Sequence, residues 1–296
     1  RAVSLCLPCA VQFGTPAQCR GFLFAGTFRP TIGFPLFSVS LVVWSFKAWR
    51  RCRILQKASI PQQSWSEAYE ALPLLGHLSG EEHTRLRKLA ILFLHEKAVH
   101  GVQGLELIER MRLIIALQGC LPILNLGLDW YSGWKSVLVY PYRFVTDRQQ
   151  TDESGVVHNV RRHLSGESWL RGPVVVSWPD VAKAGVIDGH NLIIHEFAHK
   201  LDMLNGRANG FPPLHRGMDA QTWARVFTHA FEDLRRRIDR GEPPPIDPYG
   251  ATEPAEFFAV LSEVYFETPQ VLREAYPDGY EQLHAFYCPV PPIIRC

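Results

Sequence analysis

The sequence predicts an α+β fold: an N-terminal helical segment, a small mixed sheet and a mostly helical C-terminal half. Three observations carry this expectation. Helical periodicity runs through residues 64–71, 79–100 and 105–117. Strand-like text follows at 136–140, 155–158 and 172–178, separated by polar turns. Three further helical stretches then occupy 191–204, 222–240 and 253–267. The 296 residues are 47% apolar and 20% charged, which suits a chain with a sizeable core and excludes a disordered or collagen-like one.

Each element has its own local signal. Ser79, three residues before Glu82, forms an N-terminal capping box that leads into Leu86, Leu89, Ile91, Leu92 and Phe93. Pro122 follows the apolar stretch 105–117. The helix over 191–204 is preceded by Asp188-Gly189 and closed by Asn205-Gly206. The stretch 222–240 is amphipathic and basic at its end, as helix C-termini prefer. A rigid Pro-rich connection, 241–249, separates it from the last helix, where Pro254 occupies the first turn at no cost in hydrogen bonds.

Charge divides the chain unevenly. Residues 1–66 hold eight basic residues and no acidic one, whereas the remainder carries 23 basic against 29 acidic residues. The overall net charge of +2 gives no sign of a nucleic-acid partner. Residues 1–59 read as an apolar, basic leader that is not a native folded domain, and residues 60–296 as one domain. Within the leader, 31–46 is an uncharged stretch followed by a basic run. It is shorter than the roughly 20 residues a spanning helix needs, and it contains Pro35. A membrane anchor is therefore the less favoured reading. The seven cysteines are an odd number, and only Cys120, Cys288 and Cys296 fall in the body, which argues for a reducing compartment. Cys6 and Cys9 have no second pair to complete a zinc site.

The chemistry is concentrated in His195-Glu196-Phe197-Ala198-His199. Helix positions i and i+4 differ by about 40° around the axis, so both imidazoles leave one face a turn apart. That separation lets two nitrogens share one zinc ion. Glu196 points about 100° from His195, which suits a general base acting on a water rather than a ligand. Leu192, Ile193, Ile194, Ala198 and Leu201 mark the helix as buried. Buried histidines beside a buried glutamate are costly unless a metal or hydrogen bonds satisfy them, so one Zn2+ per chain is expected, with ordinary core histidines as the alternative.

A catalytic zinc needs a third protein ligand and an open position. The metzincin spacing would place Gly at 202 and His at 205, where this chain has Asp202 and Asn205, so that pattern is excluded. Glu256 and Glu263 lie seven residues apart, on one face of the last helix. Glu256 is expected as the third ligand, with Glu263 supporting a ligand from behind. The exchange of those two roles, and helix capping by Glu256, remain open. Tyr249 either donates to a tetrahedral oxyanion or simply packs. Asp202 either orients His199 or pairs locally. Attack on a peptide also needs an edge strand to hold it extended, and 172–178 is the best candidate. The Gly- and Pro-rich stretch 205–219 is placed to mask the site.

These residues resemble the Mlc titration factor A family, zinc metallopeptidases of bacteria linked to the glucose system. HEFAHKLDMLNG (195–206) and PAEFFAVLSEVYF (254–266) carry the resemblance, supported by LPLLGHLS (72–79), LPILNLGLDW (121–130), VLVYP (137–141), GVVHN (155–159) and NLIIH (191–195). It covers about residues 60–287. The resemblance implies a zincin-like domain of gluzincin type, as in the catalytic domain of anthrax lethal factor, with His195, His199 and Glu256 as ligands, Glu196 as base and Tyr249 as oxyanion donor. It further implies a cytoplasmic protein with aminopeptidase-type activity on peptides, and a repressor of the glucose phosphotransferase genes as a protein partner. Two other functions compete with a peptidase: a masked or non-catalytic regulator that acts by binding the repressor, and a zinc protease anchored through residues 31–46. Catalytic competence is favoured, because a pure binding module has no need of Glu196.

Overall fold

The computed structural model describes residues 38–143, 146–151, 157–162, 166–168 and 172–289, with backbone alone for 38–45, 184–185 and the three short internal stretches. The chain divides into two units, 1–50 and 51–296. Helix α1 (Ser38–Lys57) runs through that boundary. Among the described helices none is long and apolar enough to cross a membrane. Residues 31–37 of the uncharged stretch lie outside the described residues.

In the second unit, α2 (Gln62–Glu70) and α3 (Gly80–Glu96) come first. The expected capping box is present at the start of α3, where the Ser79 side chain accepts from the Glu82 N–H and Glu82 accepts from the Ser79 N–H. The helix stops earlier than the periodicity suggested. Lys97 turns inward, its Nζ donating to the carbonyls of Tyr131 and Trp134, and Ala98–Gly101 becomes strand β1 with Val99 buried. A four-residue strand next to a long amphipathic helix is too short for its own period to be heard.

Helix α4 (Glu109–Cys120) is buried along its whole second half. Then come β2 (Ser136–Tyr140), the antiparallel hairpin β3 (Thr146–Thr151) and β4 (Val157–Arg162), then β5 (Gly166–Ser168), β6 (Val174–Ser177) and the short helix α5 (Trp178–Val181). The expected strand 155–158 overlaps β4 at Val157 and His158; residues 155–156 lie outside the described residues. The main sheet has four strands in the order β1-β2-β6-β5. The first three are parallel, and β5 joins β6 antiparallel, so the sheet is mixed.

The rest is helical: α6 (Leu192–Asp202), α7 (Ala220–Asp239), α8 (Pro254–Glu267), α9 (Pro269–Ala275) and α10 (Pro277–Tyr287). This is the expected α+β order. The last two helices were not legible in the sequence, being short and each opened by a proline. Helix α6 is the centre of the second unit. The sheet lies against it through β5 and β6, and α4 and α8 flank it. Gly119 of α4 makes the first contact close: a Cβ there would stand 2.5 Å from the Phe197 ring. Phe197 also meets Phe93, Tyr131 and Trp134 at ring-centroid distances of 5.3 to 5.7 Å. On the other side, α8 is buried almost throughout, with Phe257 and Phe258 packed against Phe227 of α7.

Candidate metal centre

The buried face of α6 explains why its polar residues meet. Asn191 caps the helix, its side chain accepting from the Ile194 N–H at 3.0 Å. One turn in, His195 and His199 point the same way, their Nε2 atoms 3.2 Å apart. Helix α8 crosses beside them and brings Glu256 Oε2 to 3.0 Å from His195 Nε2 and 3.3 Å from His199 Nε2. Among the described residues, His195, His199 and Glu256 form a group with the donor atoms and spacing to hold a metal ion.

The triangle they make has a simple reading. Ligands about 2.0–2.1 Å from a tetrahedral ion lie about 3.3–3.4 Å from one another, close to the observed edges of 3.0, 3.2 and 3.3 Å. Two imidazole nitrogens and a carboxylate oxygen thus converge on one point with the spacing of a shared ion. Electrostatics point the same way. Burial disfavours a charged His195, yet Glu263 and Glu256 outweigh it and raise its pKa well above the usual value. Burial likewise pushes the Glu256 carboxyl up, but hydrogen bonds and charge from the two histidines hold it far below the usual carboxylate range. Positive charge is favoured at this point in the molecule. Two of the buried polar atoms that lack a hydrogen-bond partner among the described residues, Glu196 Oε2 and His199 Nδ1, lie at this group.

The remaining expected residues are arranged around this triangle. Glu263 stands behind it, Oε1 lying 2.7 Å from His195 Nδ1 while Oε2 accepts the Asn191 N–H. Glu256, not Glu263, therefore faces the Nε2 pair. The side chain of Glu253 makes no capping bond, and Glu256 faces the histidines. Glu196 is 3% exposed, and burial raises its pKa against the pull of the histidines. Tyr249 is half-buried, its ring 6.1 Å from that of His195. Of the two readings of Asp202, the geometry is that of local pairing: its oxygens accept the N–H groups of Asn209, Gly210 and Phe211, and it makes no bond to His199 Nδ1.

The residues 46–288 match the family model of the glucose-regulated metallo-peptidases M90. The chain belongs to the M90 family. Mlc titration factor A of Escherichia fergusonii is 42% identical over 255 residues, which span 83% of this chain and 91% of that protein. The protein of the same name from Cronobacter sakazakii is 41% identical over 250 residues, 83% of this chain and 91% of its own. A third, from Klebsiella pneumoniae, is 42% identical over 231 residues, 76% of this chain and 86% of its own.

Two residues beside this group escaped the sequence. Glu267, four residues after Glu263, accepts the Gly189 N–H and the Asn191 Nδ2 amide, each at 3.0 Å. Its spacing from Glu256 and Glu263 on one helix face was the available signal. Lys200 follows Glu196 by one turn and is 2% exposed; its Nζ donates to the Gly172 carbonyl at 3.1 Å, and burial lowers its pKa to about 8. One expectation is corrected. The run 172–178 does not form a sheet edge, because β6 is paired with β2 on one side and β5 on the other. The edge on the α6 side is β5, whose three residues were too few to read in the sequence. The stretch 205–219 is tied down at its start: Asp202 holds 209–211, and Trp223 Nε1 donates to the Gly210 carbonyl.

Proposed function

We propose that this M90 chain is a zinc-dependent peptidase of aminopeptidase type, its chemistry carried by the face that α6 and α8 share. The observation behind this reading is the triangle of His195, His199 and Glu256 with the unpartnered Oε2 of Glu196 beside it. His195, His199 and Glu256 would hold one zinc ion, their nitrogen and oxygen donors being the set zinc prefers. When bound, zinc supplies a Lewis acid for the substrate carbonyl and lowers the pKa of water.

The chain's own residues do the rest. Glu196, desolvated so that its carboxylate binds a proton more readily than usual, takes the proton of the attacking water and delivers it to the departing amine. Glu263 holds His195 at Nδ1, fixing the ring and presenting Nε2. The Tyr249 phenol donates to the oxyanion that develops as water adds to the peptide. The outer edge of β5, which no described strand covers, offers backbone partners for an extended peptide. Residues 46–288, which the family model matches, would take in this domain, and the cytoplasm would be its place of action.

The relatives' printed name, Mlc titration factor A, supports a second reading, in which the chain is a masked or non-catalytic regulator that acts mainly by binding a repressor protein. Hydrolysis of a panel of amino-acid p-nitroanilides separates the two. The parent chain and Glu196→Gln are assayed, each with its zinc content measured. Turnover by the parent, lost at least about a hundredfold in the variant at equal zinc content, supports the peptidase. Absence of turnover in both, with zinc present, favours a regulator.

A further inference from the structure

Asp247 lies in the Pro-rich connection and heads the short turn Pro248–Ala251 that carries Tyr249. Its Oδ1 accepts the Tyr249 N–H at 2.8 Å, and its Oδ2 lies 3.2 Å from Nδ1 of His190. His190 is the residue directly before Asn191, the cap of α6, and its own N–H is donated to Asp188 Oδ1 at 3.0 Å. A single carboxylate thus accepts a hydrogen bond from the turn that presents the phenol and stands at ion-pair distance from the segment that begins the helix bearing His195 and His199. The other face of the turn rests on Val260 of α8, where a Cβ on Gly250 would stand 3.4 Å from the Val260 Cβ.

A donor to a developing oxyanion works only within a few tenths of an ångström, and misplacement by about 1 Å costs up to about a hundredfold in rate. Asp247 supplies one tie between turn and helix, beside the contact of the Tyr249 ring with that of His195. We infer that Asp247 is a positioning residue for peptide hydrolysis: it holds Tyr249 in register with α6, and His190 is its anchor on the helix side. This rests on the peptidase reading with Tyr249 as oxyanion donor. The pair is partly exposed, with side chains 57% and 29% accessible, so its loss costs little stability and its effect falls on turnover.

The test uses the full zinc-loaded chain and the variants Asp247→Ala, Asp247→Asn, His190→Ala, Tyr249→Phe and the double Asp247→Ala/Tyr249→Phe. Two quantities are read: kcat and KM on the best p-nitroanilide, and the calorimetric Kd of a phosphinic dipeptide, whose tetrahedral oxygens mimic the oxyanion. Asp247→Ala is expected to lower kcat about ten- to fiftyfold and to weaken phosphinate binding in parallel, with KM within about twofold and zinc content unchanged. Asp247→Asn recovers to within about threefold, because an amide oxygen still accepts the Tyr249 N–H. His190→Ala loses about threefold, since the Tyr249 bond survives. In the Tyr249→Phe background, Asp247→Ala costs nothing further.

Additive losses in the double variant overturn the inference, as does a loss confined to KM or traced to missing zinc. If Tyr249→Phe loses activity and Asp247→Ala does not, this inference alone fails. If Tyr249→Phe changes neither turnover nor phosphinate binding, the oxyanion role of Tyr249 fails and Asp247 with it. A zinc-loaded parent that neither turns over substrate nor binds the phosphinate overturns both.

Discussion

At the scale of single residues, the site is a set of carboxylates divided by what lies next to each. Glu256 faces two imidazoles and is held ionised; Glu196 and Glu267 are desolvated and bind protons more readily. Glu267 gives the clearest pH prediction. Burial beside Asp188 and Glu263 raises its pKa from 4.5 to about 7, more than the hydrogen bonds from Asn191 and Gly189 lower it. Its folded value lies above its unfolded one, so the folded chain binds the proton more tightly. Its contribution to stability is full below about pH 4.5 and is lost as pH rises through about 7. Urea unfolding of the parent and of Glu267→Gln, compared from pH 4.5 to 8, should therefore show a steeper downward slope in the parent than in the variant. Equal slopes would show that Glu267 does not carry the effect. The sequence made His195, Glu196, His199, Glu256 and Glu263 legible because helix periodicity places them without reference to anything distant. The partners of Asp202 were hidden, since a carboxylate binding backbone N–H groups of a following loop leaves no residue-type signal.

At the scale of elements, α4 and α8 come close to α6 and the loop that follows it. Gly119 is a point of close approach of α4 to α6, and Gly210 is its counterpart in the loop after α6. A Cβ at Gly210, whose φ is +75°, would stand 2.4 Å from the Pro254 carbonyl oxygen at the start of α8. Gly119→Ala should cost about 1–3 kcal/mol from overpacking against Phe197. Gly210→Ala should cost at least as much, since a positive φ and a backbone clash coincide there. Denaturant midpoints check both, and a change under about 0.5 kcal/mol at either position would contradict the packing described. Helices α3, α6, α7 and α8 were readable from period and caps. Strands β1 and β5 were not, because four and three residues cannot establish a period of two against the helical text around them. Missing β5 also misassigned the sheet edge: β6 reads as a strand in the sequence, but only strand order tells whether a strand lies at an edge.

At the scale of the whole molecule, the proposed metal would couple to the fold. The triangle joins α6 to α8, so an ion bound there links two elements that are 61 residues apart at His195 and Glu256. Binding to the folded chain alone stabilises it by mass action, by about 2.7 kcal/mol at a hundredfold excess of free ion over Kd. Removing the ion with a chelator should lower the thermal midpoint by several degrees, and adding zinc should restore it. The same treatment should leave Glu256→Ala almost unmoved. A parent chain indifferent to chelation would place the ion, if any, outside this link. The M90 match spans 46–288 and so takes in the α6–α8 face and the elements that support it. The order of helices, sheet and helices was legible because each block is long. The meeting of Glu256 with the histidines, and of Asp247 with His190, depends on a tertiary crossing that no local pattern encodes.

The most direct measurement is metal content by mass spectrometry on the purified parent chain and on His195→Ala, His199→Ala, Glu256→Ala and Glu196→Gln. The account predicts one zinc per chain in the parent and in Glu196→Gln, and less than about a tenth as much in each of the other three. A Glu256→Ala chain that retained its zinc while losing none of its affinity would contradict the assignment of the site.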